Sequence, residues 1–341
     1  MSISVGLIGC GYWGPNLLRN LYALPNCQVK QVVEIDKSRI EYINRQYPSL
    51  KVSSNIRDVF TPDIDAVVIA TPAPTHYELA KIALENHKHV LVEKPLAMNT
   101  AQAQELIDLS QKNHCQLMAG HTFEYNAAVQ YLKKSIEDGK IGKPYYLYAQ
   151  RLNLGIVRQD INALWNLAPH DVSILIYVLG KMPVAVSATG KAFLQPGIED
   201  VVFMTLHFPD DVLAHVQVSW LDPGKVRRLT VVGSEKMVVY DDVADAKIQI
   251  YEKGIKKQNI SDSLGRYDDF GKFQLIKVAG DVLFPKIDFV EPLKVECAHF
   301  LECIAKNQRP KTDGENGLRV VKVLEAAQRS LQSQGELIEI H

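Results

Sequence analysis

Gly9-Cys10-Gly11-Tyr12-Trp13-Gly14 closes the apolar run Ile3–Ile8 and opens an amphipathic stretch, so a G-x-G-x-x-G stands between a strand and a helix. In that setting the first glycine permits a tight turn, the second lets backbone approach a pyrophosphate, and the third allows close helix–strand packing. The helix N-terminus adds free N–H groups and a positive dipole end. Glu34 lies twenty residues beyond Gly14, with Asp36 two further on. A carboxylate there accepts from adenosine ribose hydroxyls and repels a 2′-phosphate. The segment therefore predicts a dinucleotide site selective for NAD, with Lys37 and Arg39 leaving NADP open.

Two further segments end apolar runs where a parallel sheet opens. Ala70-Thr71-Pro72-Ala73-Pro74-Thr75-His76 suits a rigid loop under a cofactor, with Thr71, Pro72, Thr75 and His76 as contacts. Val90-Leu91-Val92 runs into Glu93-Lys94-Pro95, a charged pair fixed by the following proline. At the carboxyl edge of a parallel sheet such a pair reads as part of a site.

These segments require elements that hold them together. Strand-type runs at Ile3–Ile8, Gln28–Ile35, Ala66–Ala70, Val90–Val92 and Gln116–Ala119 alternate with helical patterns at Pro15–Leu24, Lys37–Gln46, His76–Asn86 and Thr100–Asn113. That alternation predicts a doubly wound parallel sheet, an NAD-binding Rossmann domain over 1–121. Beyond it, period-2 segments from Tyr145–Asn153 to Lys247–Tyr251 predict an α+β domain over 122–341 with a large, open, mostly antiparallel sheet. A helix at Leu167–Leu179 interrupts that series. Helices at Pro292–Asn307 and Glu315–Gln334 close the chain, the last able to pack back on the first domain. Segment 253–290 is poorly periodic and reads as a long loop reaching a partner or capping the site. Apolar alternation on both faces of the second sheet predicts a homodimer or homotetramer joined through it.

The 341 residues carry 38 basic and 39 acidic side chains. Without a basic excess, nucleic acid is not an expected partner. No apolar run approaches the ~20 residues that span a bilayer, and no signal-like segment precedes the first strand. The five cysteines, Cys10, Cys27, Cys115, Cys297 and Cys303, are irregularly spaced. They read as reduced thiols in a cytoplasmic protein, and no metal site is expected.

The glycine motif, the Ala-Thr-Pro loop and Glu93-Lys94-Pro95 together resemble the Gfo/Idh/MocA oxidoreductases, and the resemblance extends over essentially the whole chain. It implies that Lys94 lies beside the nicotinamide and the reacting sugar hydroxyl. It also matches Leu164–Asp171 to a stretch where the family carries an aspartate and a histidine four residues apart. Here those positions are Asn166 and His170, which i, i+4 spacing puts on one helical face. An amide orients a hydroxyl but carries no proton near neutrality, so Asn166 departs from the pattern. The resemblance makes His170 or Lys94 the base, a choice the sequence leaves open, with Glu93 orienting Lys94 or the nicotinamide ribose. For substrate, His121, Tyr125, Arg151, Asn153 and Trp165 are the further candidates, Arg151 as a fork for carboxylate or phosphate. Arg227 and Arg228 alternate to opposite faces, so at most one meets a ligand. Within the family, Gly11–Asn16, Gly120–Phe123 and Leu164–Asp171 look most like the branch acting on UDP-linked amino sugars, the UDP-N-acetylglucosaminuronate 3-dehydrogenases above all. The alternatives are an NADP-dependent keto-sugar reductase, a free-sugar or cyclitol dehydrogenase, and a non-catalytic sensor of the same fold.

Overall fold

The computed structural model describes residues 2–259, 273–278 and 280–341. Its first sheet contains β1 (Ile3–Ile8), β2 (Cys27–Val33), β3 (Lys51–Ser53), β4 (Ala66–Ile69), β5 (His89–Glu93) and β6 (Leu117–Gly120). They are all parallel, in the order β3-β2-β1-β4-β5-β6. The helices α1 (Gly14–Ala23), α2 (Lys37–Gln46), α3 (His76–Glu85) and α4 (Thr100–Lys112) connect them. β4 and β6 are buried at every residue, which is why they read as unbroken apolar runs. The order reverses direction at β1/β4, so the ends of β1, β4 and β5 open a crevice where ligands bind in such sheets. Short acidic or amide side chains start the helices: Asp36 accepts from the Ser38 and Arg39 N–H groups, and Asn99 from Gln102.

After α5 (Ala127–Glu137) the chain builds β7 (Pro144–Leu152), α6 (Ala163–Leu179), β8 (Ala185–Lys191), β9 (Val201–His207), β10 (Leu213–Ser219), β11 (Val226–Gly233), β12 (Met237–Asp241) and β13 (Ile248–Tyr251). β14 (Gly254–Asn259), β15 (Phe273–Val278) and β16 (Val282–Leu283) follow, then α7 (Pro292–Lys306), α8 (Gly314–Gln332) and β17 (Ile338–Glu339). Nine strands form one sheet, β16-β13-β12-β11-β7-β10-β9-β8-β17, antiparallel except for the parallel pair β7 and β10. Alternate residues such as Leu147, Ala149, Val216 and Met204 are buried, while Tyr146, Tyr148, Phe203 and Leu213 stand exposed on the opposite face. The two-layer reading of fold class, parallel α/β followed by an open antiparallel sheet, therefore holds.

Three local expectations are corrected. α6 starts at Ala163, not Leu167. Asn162 caps the helix through the Trp165 N–H, which starts it a turn earlier, and the chain stays helical through Pro169. Segment 253–290 is not simply a loop. β14 and β15 pair as an antiparallel ribbon and β16 joins the large sheet beside β13; residues 260–272 and 279 lie outside the described residues. Lys-Gly-Ile-Lys-Lys carries no period-2 apolar signal, so only cross-strand pairing reveals these strands. The short edge strands β3 and β17 were missed for the same reason.

The closing helices tie the two sheets together. Leu293, Cys297, Phe300 and Leu301 of α7 share a core with β1, α1 and β2. α8 is capped by Asp313, and Met118 of β6 bridges to that residue. An added Cβ at Gly314 would lie 2.7 Å from Ile107, and one at Gly317 2.6 Å from Leu96. Farther along α8, the Ser330 hydroxyl accepts from the Ala188 N–H of β8. No helix among the described residues is long and apolar enough to cross a membrane.

Candidate active site

The glycine loop combines closeness with open space. Gly9 holds φ +88°, and a Cβ there would meet the Ala70 carbonyl oxygen at 2.8 Å. One at Gly14 would stand 2.4 Å from the Gly9 carbonyl oxygen. At Gly11 nothing lies within 4 Å, so the protein itself does not use that space. Trp13 gives α1 no side-chain cap and Pro15 occupies its first turn, which leaves N–H groups directed at the same opening. A cradle lined by uncapped N–H groups fits a dinucleotide pyrophosphate.

Glu34 is fixed beneath this loop. Its carboxylate accepts from the N–H groups of Cys10 (2.6 Å), Ile35 (2.7 Å) and Asp36 (3.0 Å). Asp36 caps α2, and Ile35, 82% exposed, offers an apolar platform between the two acids. Across the crevice, the Thr75 hydroxyl donates to the Pro72 carbonyl, so Thr71 donates to Thr75 at 2.7 Å. His76 lies under the loop, buried between the carbonyls of Thr71 (2.9 Å) and Pro95 (2.7 Å). It thus links this loop to the Lys94–Pro95 turn, while Tyr12 and Trp13 stay exposed at the mouth.

The charged pair ends β5. Glu93 faces Gly120 across the β5/β6 register. Burial pushes its carboxyl up to about 7, against the pull of Lys94 and a hydrogen bond from Trp13. Lys94 precedes a cis proline, and its Nζ donates to the Asn166 backbone carbonyl at 2.9 Å. Burial lowers its ammonium to about 8; Glu93 opposes that shift, whereas Arg151, Arg158 and Arg227 add to it. The Asn166 amide oxygen accepts from the Trp220 indole at 3.2 Å. Pro169 has no N–H for the Trp165 carbonyl, so the helical ladder is open next to the carbonyl that Lys94 uses.

His170 follows one turn later. Its ring stands edge-on to Phe123, centroids 5.0 Å apart, and Nδ1 is buried without a partner. Burial holds the imidazole well below its ordinary range, reinforced by Lys94, Arg151, Arg227 and His121. Since position 166 is an amide, it supplies no carboxylate to stabilise an imidazolium.

The other expected residues divide. His121 Nδ1 lies 2.6 Å from Asn316 Oδ1, and the Asn316 amide nitrogen donates to Glu124, which fixes the amide's orientation. His121 Nδ1 therefore carries the proton and its buried, unpaired Nε2 is a bare acceptor. Burial holds that ring neutral, down at about 4. Arg151 is consumed by Asp171 through Nε (2.8 Å) and Nη2 (3.0 Å), with its guanidinium over the Phe123 ring. Trp165 is buried and donates to Gln328. Tyr125 is buried too; Thr312 donates to Ala119, so the tyrosine donates to Thr312 at 3.2 Å. Asn153 sits where β7 ends, its N–H on the Ser219 carbonyl. Sequence reasoning did not name Trp220 or Asn316 as site residues, and it noted Phe123 only as part of the Gly120–Phe123 segment; of the Arg227–Arg228 pair, it is Arg227 that shares the sheet face of Arg151.

Comparisons with known proteins agree with this fold. A family model described as "Oxidoreductase family, NAD-binding Rossmann fold" matches residues 3–121, and a GFO/IDH/MocA C-terminal domain model matches 129–239. The chain is 30% identical over 212 residues to the UDP-N-acetylglucosamine 3-dehydrogenase of Acidithiobacillus ferrooxidans, an alignment spanning 62% of this chain and 63% of that enzyme. A solved structure of the Acidithiobacillus enzyme superposes with a TM-score of 0.79 over 98% of each chain, at 23% identity. The gentamicin A biosynthesis protein GenD2, solved with NAD, superposes at 0.82 over 100% of this chain and 97% of that one, at 21% identity.

Proposed function

The chain belongs to the Gfo/Idh/MocA oxidoreductases, and on that premise we propose that it oxidises a secondary hydroxyl, at C3, of a UDP-linked amino sugar or uronate with NAD. The observation that carries this reading is the convergence of Lys94, Asn166 and His170 at the carboxyl edge of the Rossmann sheet, beside a glycine cradle with room for a pyrophosphate. Similarity to a relative that acts on a UDP-amino sugar at C3 supports the substrate class.

Gly9, Gly11, Gly14 and the first turn of α1 would hold the pyrophosphate, and Glu34 with Asp36 the adenosine ribose. Two carboxylates there disfavour a 2′-phosphate, which favours NAD over NADP. NAD held there would supply the hydride acceptor for the carbinol carbon. Lys94, lowered to about 8, takes the hydroxyl proton on Nζ, because a base works best with its pKa near the working pH. His170 stays neutral and positions the same hydroxyl. Its imidazolium would have no carboxylate beside it. His121 Nε2, a bare acceptor, receives a neighbouring substrate hydroxyl. The products are the ketone, NADH and one proton. Exposed apolar side chains on the open sheet favour assembly of two or four copies through that face.

The test is NADH formation at 340 nm with UDP-linked amino sugars and uronates, alongside free sugars and cyclitols. Turnover confined to free polyols would overturn the nucleotide-sugar reading, and absence of turnover with intact NAD binding would favour a sensor.

A further inference from the structure

Glu93 and Gly120 are register partners at the ends of β5 and β6, so the next residues, Lys94 and His121, leave the sheet side by side. A proton on Lys94 opposes one on His121, and a proton on His121 opposes one on His170. These three side chains share one end of the crevice. The His121 ring is buried, and its Nε2 has no partner among the described residues. A buried acceptor left empty costs free energy, so it marks a place that a ligand fills.

What that nitrogen can take is decided on α8. Asp313 caps this helix and accepts from the Asn316 N–H at 2.9 Å, while Thr312 donates to the Ala119 carbonyl of β6 at 2.8 Å. The helix start is thereby strapped to the end of β6, with the Asn316 amide 2.6 Å from His121 Nδ1. An amide there could face the ring with either end. Its oxygen would hold the ring proton on Nδ1, and its nitrogen would send that proton to Nε2. Glu124 removes the choice. Its Oε1 stands 2.9 Å from the Asn316 amide nitrogen, and a carboxylate only accepts. The nitrogen must turn to Glu124 and the oxygen to the imidazole. Glu124 and Asn316 are both buried and act on a substrate through His121.

We infer that Glu124 and Asn316 are positioning residues that fix the polarity of the pocket, so that the enzyme demands a hydrogen-bond donor on a carbon next to the oxidised one. This deepens the reading above and rests on it for the sugar. A hydroxyl or amide N–H on that carbon meets the bare nitrogen. A group with lone pairs only, such as fluorine or an azide, meets the nitrogen's own lone pair and is turned away. The pocket thus selects by rejecting a like partner as well as by binding the right one.

The experiment uses the NAD-loaded protein above the value of about 7 to which burial lifts the Glu124 carboxyl, and it has two parts. Nitrogen-15 histidine spectra are compared for the native protein, Glu124→Gln and His121→Gln, the last identifying the His121 signals. The native ring should be neutral with its proton on Nδ1. Glu124→Gln, whose amide can donate as well as accept, should mix the two tautomers. A native ring protonated on Nε2 overturns the inference. In the second part, kcat/KM is read for UDP-N-acetylglucosamine and for its 4-deoxy-4-fluoro and 2-azido counterparts, each lacking the donor on one neighbour of C3. The native protein should disfavour at least one of them by about tenfold or more, and both glutamine variants should shrink that ratio. A merely structural role would lower all three substrates alike; unchanged ratios in the variants therefore overturn the inference, as does a native protein indifferent to both analogues. Should no UDP-sugar be turned over, the nucleotide reading fails separately. The tautomer spectra, with binding of glucose against its 2-fluoro and 4-fluoro analogues, then decide by the same criteria.

Discussion

The Lys94 Nζ donates to the backbone carbonyl of Asn166 at 2.9 Å, joining the end of a Rossmann strand to a helix residue 72 positions later in the chain. The helix carbonyl adjacent to the break that Pro169 makes thereby holds the ammonium in place, and His170 stands one turn beyond. A lysine with this role should be indispensable for turnover and dispensable for the cofactor. Lys94→Met is expected to lower kcat by about 10²–10⁴-fold, the range for a lost general acid–base group. NAD affinity by titration should stay within about twofold, since the pyrophosphate cradle is untouched.

Proton abstraction by Lys94 fixes the sign of the pH dependence. Below about 8 the amine is protonated and cannot accept, so kcat/KM should rise with pH and level off above that value. Asn166→Asp places a carboxylate next to Lys94 and His170, and a neighbouring negative charge favours their protonated forms. The rise should therefore move to higher pH. A profile that stays fixed in this variant would point to a base other than Lys94.

The three motif glycines should separate fold from function. Gly11→Ala adds a methyl into open space, so the melting temperature should hold while NAD affinity falls. Gly14→Ala drives a methyl against the Gly9 carbonyl, and the protein itself should lose stability. Thermal melting with and without NAD reads both.

Arg151 and Asp171 form a doubly hydrogen-bonded pair in which both side chains are almost wholly buried. Removing one partner strands a buried charge, so Asp171→Ala should cost about 3–5 kcal/mol in chemical denaturation. Arg151→Met combined with Asp171→Leu should recover most of that loss, because apolar replacements of a buried pair are often neutral.

Tyr148 and Phe203 belong to the exposed face of the nine-stranded sheet. A double change, Tyr148→Glu with Phe203→Glu, should convert a dimer or tetramer into monomers in sedimentation velocity while NAD binding persists. An unchanged sedimentation coefficient would place the interface elsewhere.

The sequence by itself determined what depends on local pattern. Unbroken apolar runs alternating with amphipathic stretches specify a parallel sheet covered on both faces, and period-2 runs specify a sheet with one open face. The glycine motif located the nucleotide cradle, because its spacing encodes one turn and one helix start. The near-equal basic and acidic counts carry no basic excess of the kind a phosphate backbone attracts. The β14/β15 ribbon and the edge strands were not legible, since short polar segments become strands only by pairing with distant partners.

Tertiary structure decided which polar side chains are free. Nothing in the sequence shows that Arg151 is filled by Asp171 while Arg227 keeps an unpaired Nε, or that Trp165 and Tyr125 turn into the core. Nor does it show that Glu124 and Asn316 leave His121 with a bare Nε2. A side chain's residue type limits its chemistry. Its protonation and availability depend on burial and on distant partners, as His121 depends on Asn316, 195 residues away in the chain, and those are set only when the two sheets and the returning helices close around the crevice.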